Sequence, residues 1–239
     1  MEKLYIIIPA YNEASNIEEL VSEWINVVSN VSPESRLLIV NDGSRDNTLE
    51  ILHRLKQEYI QLEIEDKPNG GHGSTIYYGY QRAIEAGADY VFQTDSDRQT
   101  LPEEFSQFWK VRKNFDACIG VRSHRQDGSS RVIVTSVLRL ALFLVFGLNI
   151  KDANTPFRLM RHDVLRDALA LVPPNHNLTN VMLSIVLSAQ KRNIAWLPIT
   201  FRPRQGGVNS INLRRISRIG LKAVQDFWAF RKTLRQNGL

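Results

Sequence analysis

The chain has 239 residues, enough for one large domain with a buried core, and its 43% apolar and 23% charged residues are typical of a soluble protein. Its single cysteine, Cys118, excludes an internal disulfide and favours a reducing compartment. The net charge of +5 comes from the segment after residue 201, which has nine lysines and arginines and one acid. This distribution argues against a nucleic-acid-binding domain and predicts a local cationic surface.

The first 120 residues alternate between strand-like and helix-like segments. Residues 4–8 form a continuous apolar run, which predicts a strand buried on both faces. Further strands are predicted at 37–40, 62–65, 90–93 and 117–121, and helices at 16–28, 48–58, 74–86 and 102–112. This order predicts an α/β fold of Rossmann-like type, with a mostly parallel sheet sandwiched by helices. Because the first strand begins at once, we expect no signal peptide and a cytoplasmic location.

The second half opens with an apolar segment, residues 132–150, in which Arg139 is the only charge. An arginine in the middle of a membrane span costs about 2.5–3.5 kcal/mol, so we expect a buried or interfacial helix instead. Strands are then predicted at 157–160 and 194–201, and helices at 163–171, 178–190 and 212–235. We assign residues 1–210 to one domain and 211–239 to a C-terminal basic amphipathic helix.

The C-terminal helix allows two interpretations. Its apolar residues fall on one stripe, comprising Ile216, Ile219, Ala223, Val224, Phe227, Phe230 and Leu234. The stripe could pack on the chain's own domain and leave the basic face in solvent. Alternatively, the helix could rest on anionic lipid, which would place the protein on the inner face of the cell membrane.

Polar residues follow each of the five strands predicted in the first half. They lie at positions 9–13, 41–48, 67–73, 95–99 and 122. Since ligands of open parallel sheets bind beyond the carboxyl ends of the strands, we expect these side chains to converge. Each segment taken alone is also typical of an ordinary turn or helix cap.

The type of ligand follows from the side chains at these strand ends. Asp95 and Asp97 are spaced to hold one hard divalent cation, which can clamp a diphosphate. Asp42 and Glu13 can accept hydrogen bonds from a base or ribose, and Arg122 can bind phosphate. Neither the glycine fingerprint of dinucleotide-binding folds nor the triphosphate-binding loop is present. The set suits a nucleotide diphosphate-sugar.

These motifs together resemble the ordered signature of the family 2 glycosyltransferases. The specific blocks are Pro9-Ala10-Tyr11-Asn12-Glu13, Asn41-Asp42-Gly43-Ser44, Asn69-Gly70-Gly71-His72-Gly73 and Asp95-Ser96-Asp97. Three looser blocks resemble the dolichyl-phosphate mannosyltransferase-like branch, namely Gly120-Val121-Arg122, residues 152–158 and Arg204-Gln205-Gly206-Gly207. The resemblance covers roughly residues 4–210.

The resemblance implies a GT-A fold and an inverting, metal-dependent transfer of a sugar from a nucleotide diphosphate-sugar. Pro9, Tyr11, Glu13 and Asp42 would hold the nucleoside, with Gly71 in the donor loop. Asp95, Asp97 and Gln99 would hold Mg or Mn and the diphosphate. The phosphates of donor or acceptor would meet Arg122, Arg131 and Arg204.

The acceptor stays open at this point. A polyprenyl phosphate at an anionic membrane surface needs no general base, whereas a sugar hydroxyl of a cell-surface polysaccharide needs one, and Asp152 is the candidate. The chain departs from the branch at Arg98, where an apolar residue is usual, and at Asn209-Ser210, where Ser-Lys is usual. The sequence does not predict an oligomeric state.

Two other functions share the predicted fold. One is a non-catalytic nucleotide-sugar or lipid-surface binding protein, against which the intact Asp-x-Asp argues. The other is a sugar nucleotidyltransferase, whose arginine-containing glycine-rich loop after the first strand is missing here.

Overall fold

A computed structural model describes the backbone of residues 2–125, 129–203 and 213–239, and their side chains outside 123–134 and 213–224. The strands are β1 (Leu4–Ala10), β2 (Arg36–Asn41), β3 (Leu62–Asp66), β4 (Tyr90–Gln93), β5 (Ala117–Arg125), β6 (Arg158–Arg161) and β7 (Ile194–Phe201). The helices are α1 (Ile17–Val31), α2 (Thr48–Glu58), α3 (His72–Glu85), α4 (Phe105–Val111), α5 (Ser129–Phe146), α6 (His162–Leu169), α7 (Thr179–Ala189) and α8 (Leu213–Gln236). Short 3-10 turns at Pro102–Glu104 and Arg112–Asn114 flank α4.

The strands of the described residues form one sheet in the order β3-β2-β1-β4-β6-β5-β7. Strand β1 pairs in parallel with both β2 and β4, and β2 pairs in parallel with β3. Strand β6 runs antiparallel between β4 and β5, and β5 pairs in parallel with β7. The mostly parallel sheet predicted from the sequence is therefore confirmed, and it places the carboxyl ends of β1, β2, β3 and β4 along one edge.

Alternating side chains of β1 divide the core between the two faces of the sheet. Leu4, Ile6 and Ile8 belong to a buried cluster with residues of α1, α2 and α4. Tyr5 and Ile7 belong to a second cluster with residues of α3, α6, α7 and the ends of α5 and α8. Because both faces are covered, β1 is buried along its whole length, as its continuous apolar run predicts.

The apolar segment predicted at residues 132–150 forms most of α5, which packs against α8. Phe146 contacts Phe227 and Phe230 of α8, with ring centroids 6.1 and 6.5 Å apart. Phe227, Phe230 and Leu234 are buried, so this part of the C-terminal stripe packs on the protein itself. No helix among the described residues combines the length and the apolar character needed to cross a bilayer.

Candidate active site

A cleft of about 500 Å³ lies at the carboxyl edge of β1, β2 and β4. Its lining comprises Pro9, Ala10, Tyr11, Glu13, Asp42, Asn69, Gly71, His72, Thr75, Asp95, Ser96 and Asp97. Seven predicted site residues thus share one cleft, namely Pro9, Tyr11, Glu13, Asp42, Gly71, Asp95 and Asp97. The volume is within the range of pockets that take a drug-sized ligand.

Hydrogen bonds between the loops after β1 and β2 fix the side of the cleft that is predicted to hold the nucleoside. The backbone N–H of Glu13 donates to the Thr48 hydroxyl at 2.8 Å, and the N–H of Ala14 donates to Asp46 Oδ2 at 3.1 Å. The carboxylate of Glu13 is buried and accepts a hydrogen bond from Ser96 at 3.2 Å. Tyr11 is 43% exposed, which leaves its ring accessible at the cleft. This side therefore combines a fixed carboxylate with an accessible aromatic ring.

Asp42 organises the glycine-rich loop that follows β3. Its side chain is buried, forms an ion pair with Lys67, and accepts hydrogen bonds from the N–H groups of Gly70 at 2.8 Å and Gly71 at 3.0 Å. Burial alone would raise the pKa of Asp42, but the hydrogen bonds from Lys67 and Gly70 hold the pKa of this carboxyl below its ordinary value. Asp42 is therefore ionised at neutral pH, and its loop contacts place Gly71 at the cleft.

The first turn of α3 forms the wall of the cleft nearest to Asp95. His72 Nε2 lies 3.0 Å from Asp95 Oδ1, and Gly71 precedes the helix with φ +85°, a conformation that favours glycine. Desolvation would lower the pKa of His72, but the carboxylates of Asp95 and Asp97 outweigh it and raise that pKa. The positive end of the helix dipole also favours an anion here, so this wall suits a phosphate group.

The Asp-x-Asp loop is anchored on two sides. Arg98 has a left-handed backbone with φ +56°, and its guanidinium forms ion pairs with Glu19 and Glu23 of α1. Gln99 is buried and does not line the cleft, because its Nε2 donates to the backbone carbonyl of Arg202 at 2.6 Å. The structure thus places Gln99 in the connection between this loop and the end of β7, and its role toward a metal stays a prediction.

Arg122 and Asp152 bind each other outside the cleft lining. Arg122 Nε donates to Asp152 Oδ2 at 2.8 Å and Arg122 Nη2 donates to Asp152 Oδ1 at 2.7 Å. Asp152 is 4% exposed. Both oxygens of the Asp152 carboxylate thus accept hydrogen bonds from one guanidinium, which has fewer donors left for phosphate. The role of Asp152 as a general base stays a prediction.

The remaining predicted phosphate ligands lie outside the part that the structure describes. Arg131 belongs to α5, but its side chain is not among the described ones. Arg204, the rest of its Arg-Gln-Gly-Gly block, and Asn209-Ser210 lie outside the described residues. Their roles stay predictions.

Several side chains that position the site are not predicted from the sequence. Lys67 is predicted only as part of a loop and Ser96 only as the middle of a motif, while Gln93, Thr75 and Asn180 have no predicted role in the site. The available signal was a polar residue inside an apolar run, as with Gln93 at the end of β4 and Asn180 before Val-Met-Leu. Such a residue needs a buried hydrogen-bonding partner, which the sequence alone does not identify.

The donor set of the cleft fits a divalent cation that is completed by a substrate. No three His, Cys, Asp or Glu side chains of the described residues come together as a full metal site. Asp95 and Asp97 nevertheless offer carboxylate oxygens on one short loop, and Mg²⁺ is commonly held by one or two carboxylates together with phosphates and water. Within the described part of the chain, the hydrogen bonds to the Asp95 carboxylate fall on Oδ1, so Oδ2 is the oxygen that would bind a cation.

The chain matches known proteins over most of its length. Residues 5–169 match the model of the family described as Glycosyl transferase family 2. This chain belongs to that family. Among similar proteins are undecaprenyl-phosphate 4-deoxy-4-formamido-L-arabinose transferases, from Shewanella sediminis with 28% identity over 170 residues and from Pseudomonas syringae with 30% identity over 171 residues.

The coverage of these family 2 relatives is partial. Each of the two alignments covers 69% of this chain, and 50% and 49% of the Shewanella and Pseudomonas proteins. The transferase from Salmonella choleraesuis is 24% identical over 219 residues, which cover 90% of this chain and 64% of that protein. The chain thus spans about half to two thirds of the length of the curated relatives it matches.

Solved structures confirm the GT-A fold expected for this family 2 member. Glucosyl-3-phosphoglycerate synthase from Mycobacterium tuberculosis, in complex with Mn²⁺, uridine diphosphate and glucosyl-3-phosphoglycerate, superposes with a TM-score of 0.67 at 16% identity, over 96% of this chain and 80% of that one. S. aureus TarS in complex with UDP gives 0.62 at 17% identity, over 96% and 65%. At this identity the likeness establishes the fold.

Proposed function

We propose that the protein is an inverting glycosyltransferase that moves a sugar from a nucleotide diphosphate-sugar to a polyprenyl phosphate. The observation that carries the proposal is the convergence of Asp42, Asp95 and Asp97 on one cleft of a family 2 chain. The related undecaprenyl-phosphate transferases and the neighbouring UDP complexes support this substrate class.

The residues of the cleft divide between the nucleoside and the diphosphate. Pro9, Tyr11, Glu13 and Asp42 hold the nucleoside, since the accessible ring of Tyr11 can stack on a base while the carboxylates accept hydrogen bonds from base or ribose. Gly71 and the first turn of α3 lie beside the diphosphate, where the helix dipole favours negative charge.

Asp95 and Asp97 hold a Mg or Mn ion, an assignment supported by the Mn²⁺ in the neighbouring synthase complex. Such an ion supplies Lewis-acid stabilisation of the leaving diphosphate. Asp95 and Asp97 line the same cleft as Tyr11 and His72, so a cation that they held would lie beside the donor bound there. Removal of either carboxylate is expected to cost about 10²–10³ in turnover, the range seen for other lost electrostatic groups.

The Arg122–Asp152 pair favours a phosphate acceptor over a sugar hydroxyl. A hydroxyl must lose a proton as it attacks the anomeric carbon, and the carboxylate predicted for that role is occupied by a guanidinium. A lipid phosphate is already an anion and attacks without a base. Transfer to a lipid phosphate therefore needs no general base, so the Arg122–Asp152 pair does not prevent it.

An exposed apolar face on α5 supports contact with the lipid that carries such an acceptor. Val137, Leu140, Phe143 and Leu144 are 62%, 57%, 55% and 68% exposed and lie on adjacent helical positions. Trp228 of α8 is 53% exposed. We call Val137, Leu140, Phe143, Leu144 and Trp228 the α5–α8 face.

Positive charges on the same two helices add to this apolar surface. Arg139, Lys232 and Arg235 are exposed, and the Arg231 guanidinium lies 5.2 Å from the ring centroid of Trp228. Apolar and basic side chains together suit an anionic bilayer.

Product analysis tests the proposed reaction. The purified protein is incubated with Mn²⁺, a panel of nucleotide diphosphate-sugars and a short-chain polyprenyl phosphate in detergent. We expect release of nucleoside diphosphate together with a lipid-linked sugar, and loss of both in Asp97→Ala. Pyrophosphate release would indicate nucleotidyl transfer instead, and wild-type turnover by Asp97→Ala would contradict the proposal.

A further inference from the structure

A line of buried polar side chains leads from the protein interior to Asp95. Gln93, the last residue of β4, is fully buried, and its Nε2 donates to Asp95 Oδ1 at 3.0 Å. Its Oε1 accepts a hydrogen bond from Asn180 Nδ2, also at 3.0 Å. Asn180 is 3% exposed and lies in the first turn of α7. Two buried amides therefore connect α7 with the carboxylate.

Packing alone does not explain amides at these positions. Burying a polar group costs free energy unless it is hydrogen-bonded, and replacing both partners of a buried hydrogen bond by apolar side chains of similar shape can be nearly neutral. All residues of α7 from Thr179 to Leu187 are buried, and most are apolar. The Asn180 amide fixes the orientation of the Gln93 amide. Because Asn180 Nδ2 donates to Gln93 Oε1, Gln93 Nε2 faces Asp95.

A buried guanidinium fixes the far end of this line. Arg158 is fully buried and lies opposite Gln93 in the antiparallel pairing of β4 with β6. Its Nη1 donates to the backbone carbonyl of Asn180 at 3.1 Å, and its Nη2 donates to the carbonyls of Ala153 at 3.1 Å and Thr155 at 2.9 Å. None of the Arg158 hydrogen bonds among the described residues goes to a carboxylate. The start of α7, and with it Asn180, is held in place.

We propose that Gln93 and Asn180 are positioning residues that set the Asp95 carboxylate for the divalent cation. The inference rests on the proposed function, since it assigns these residues to the metal side of the same cleft. The Gln93 hydrogen bond restrains Oδ1, so Oδ2 would be held in one orientation when a cation binds. Hydrogen bonds that orient metal-binding side chains typically contribute 10–100-fold in metal affinity.

The substitution Asn180→Asp tests whether the Asn180 amide orients Gln93 toward Asp95. A carboxylate in place of the Asn180 amide accepts from Gln93 Nε2, so the Gln93 amide turns and presents its oxygen to Asp95. The buried carboxylate is also expected to lower the unfolding midpoint, because burying a charge is costly. We expect at least tenfold weaker Mn²⁺ binding, a loss that destabilisation elsewhere in the sheet does not produce. Gln93→Met, which removes the donor, is expected to weaken Mn²⁺ binding to a similar extent.

Mn²⁺ affinity is measured by the electron paramagnetic resonance signal of the free ion, without nucleotide and with uridine diphosphate. Ser35→Ala is the matched control. The Ser35 hydroxyl is buried, lies 2.9 Å from the Ser32 hydroxyl and accepts a hydrogen bond from the N–H of Leu4 at 3.1 Å. Ser35 precedes β2, so it lies at the amino end of that strand, away from the cleft. Ser35→Ala is expected to lower the unfolding midpoint and leave Mn²⁺ affinity unchanged.

Wild-type Mn²⁺ affinity in both Asn180→Asp and Gln93→Met overturns the inference, and so does a loss of affinity in Ser35→Ala that matches its loss of stability. Failure of the proposed function has a different signature. In that case Asp97→Ala binds Mn²⁺ as well as the wild-type protein does, whatever the two amide variants show.

Discussion

Single charged residues hold the loops of the cleft in their observed conformations. Lys67 neutralises Asp42 beneath the glycine-rich loop, and Arg98 connects the Asp-x-Asp loop with Glu19 and Glu23 of α1. Glu19 and Glu23 are one helical turn apart, so without Arg98 these like charges would repel each other. Both contacts are therefore expected to affect stability as well as the shape of the site.

The substitution Lys67→Met tests the contact with Asp42. It leaves a buried carboxylate without its cation, which we expect to cost about 3 kcal/mol at neutral pH. Because the folded-state pKa of Asp42 is lowered, its stabilising contribution is present above the ordinary carboxyl pKa and is lost as the pH falls through the folded-state value. Removing Lys67 raises that folded-state pKa, so acid unfolding should begin at a higher pH.

Urea unfolding of Lys67→Met at several pH values measures both effects. Arg54→Met is the control, since the Arg54–Glu18 pair is exposed and is expected to contribute less than about 1 kcal/mol. An acid-unfolding profile of Lys67→Met that coincides with that of the wild-type protein would contradict this account of Asp42.

The left-handed backbone of Arg98 predicts an unusual preference for glycine over alanine. Arg98→Ala and Arg98→Gly both lose the ion pairs with α1, but only alanine keeps the steric strain of φ +56°. We expect Arg98→Gly to be more stable than Arg98→Ala by about 1 kcal/mol in chemical unfolding. At Arg54, inside α2, the order should reverse by a similar amount. The same order at both positions would be inconsistent with strain at Arg98.

At this scale the sequence predicts residue types better than contacts. Asp42, Asp95 and Asp97 are recognisable because polar residues follow several successive strands, whose carboxyl ends meet at one edge of a parallel sheet. The pairing of Arg122 with Asp152 cannot be recognised from the sequence, since the two residues are 30 positions apart and each could act alone as a ligand. The same is true of Gln93 and Asn180, which are 87 positions apart.

Among the secondary-structure elements, α3 has a close contact that depends on one glycine. A Cβ at Gly73 would lie 2.2 Å from the backbone carbonyl oxygen of His176 and 2.6 Å from the carbonyl carbon of Asn177. Gly73→Ala must therefore displace either α3 or the segment before α7. Since α3 forms a wall of the cleft, the shift should reach the site.

We expect Gly73→Ala to lower stability by about 1–3 kcal/mol, as overpacking does, and to weaken nucleotide binding. Gly79→Ala is the matched control on the same helix, because its Cβ would meet only side-chain atoms, at 3.3 Å and beyond. Thermal unfolding and nucleotide titration of both variants provide the measurement. Equal effects of the two substitutions would contradict the importance of the backbone contact.

The α5–α8 face predicts binding of the protein to anionic vesicles. Leu140→Glu combined with Leu144→Glu should reduce co-sedimentation with phosphatidylglycerol vesicles at least tenfold, because burying each leucine contributes about 1.5–3 kcal/mol. Ile60→Glu changes an isoleucine that is 88% exposed elsewhere on the surface and should have no effect. Absence of wild-type binding at low salt would remove the membrane contact and leave sugar transfer untouched.

Local patterns predict most elements but fail at certain boundaries. Helix α2 and strands β4 and β7 have the predicted bounds, since each is delimited by a clear change of pattern. The helix predicted at residues 102–112 is instead a 3-10 turn followed by the short α4 and a second 3-10 turn. Phe227, Phe230 and Leu234 of the α8 stripe pack on the protein itself. The periodicity of the sequence does not distinguish this packing from contact with lipid.

At the scale of the whole molecule, the order of the strands determines where the cleft and its supporting residues lie. Alternating strands and helices predict a parallel sheet, and with it the shared edge where the cleft lies. The insertion of antiparallel β6 between β4 and β5 is not readable from local sequence, because it depends on pairings about 40 to 70 residues apart in the chain. That insertion places Arg158 beside Gln93 and so completes the support beneath Asp95.

We propose that the cleft binds a nucleoside diphosphate through a divalent cation held by Asp95 and Asp97. The most direct test is a thermal-unfolding screen of nucleoside diphosphates with Mn²⁺ or with a chelator, on the wild-type protein and Asp97→Ala. At about 100 times the dissociation constant, one nucleotide should stabilise the wild-type protein by about 2.7 kcal/mol with Mn²⁺ only. Equal stabilisation in the chelator, or in Asp97→Ala, would contradict the claim.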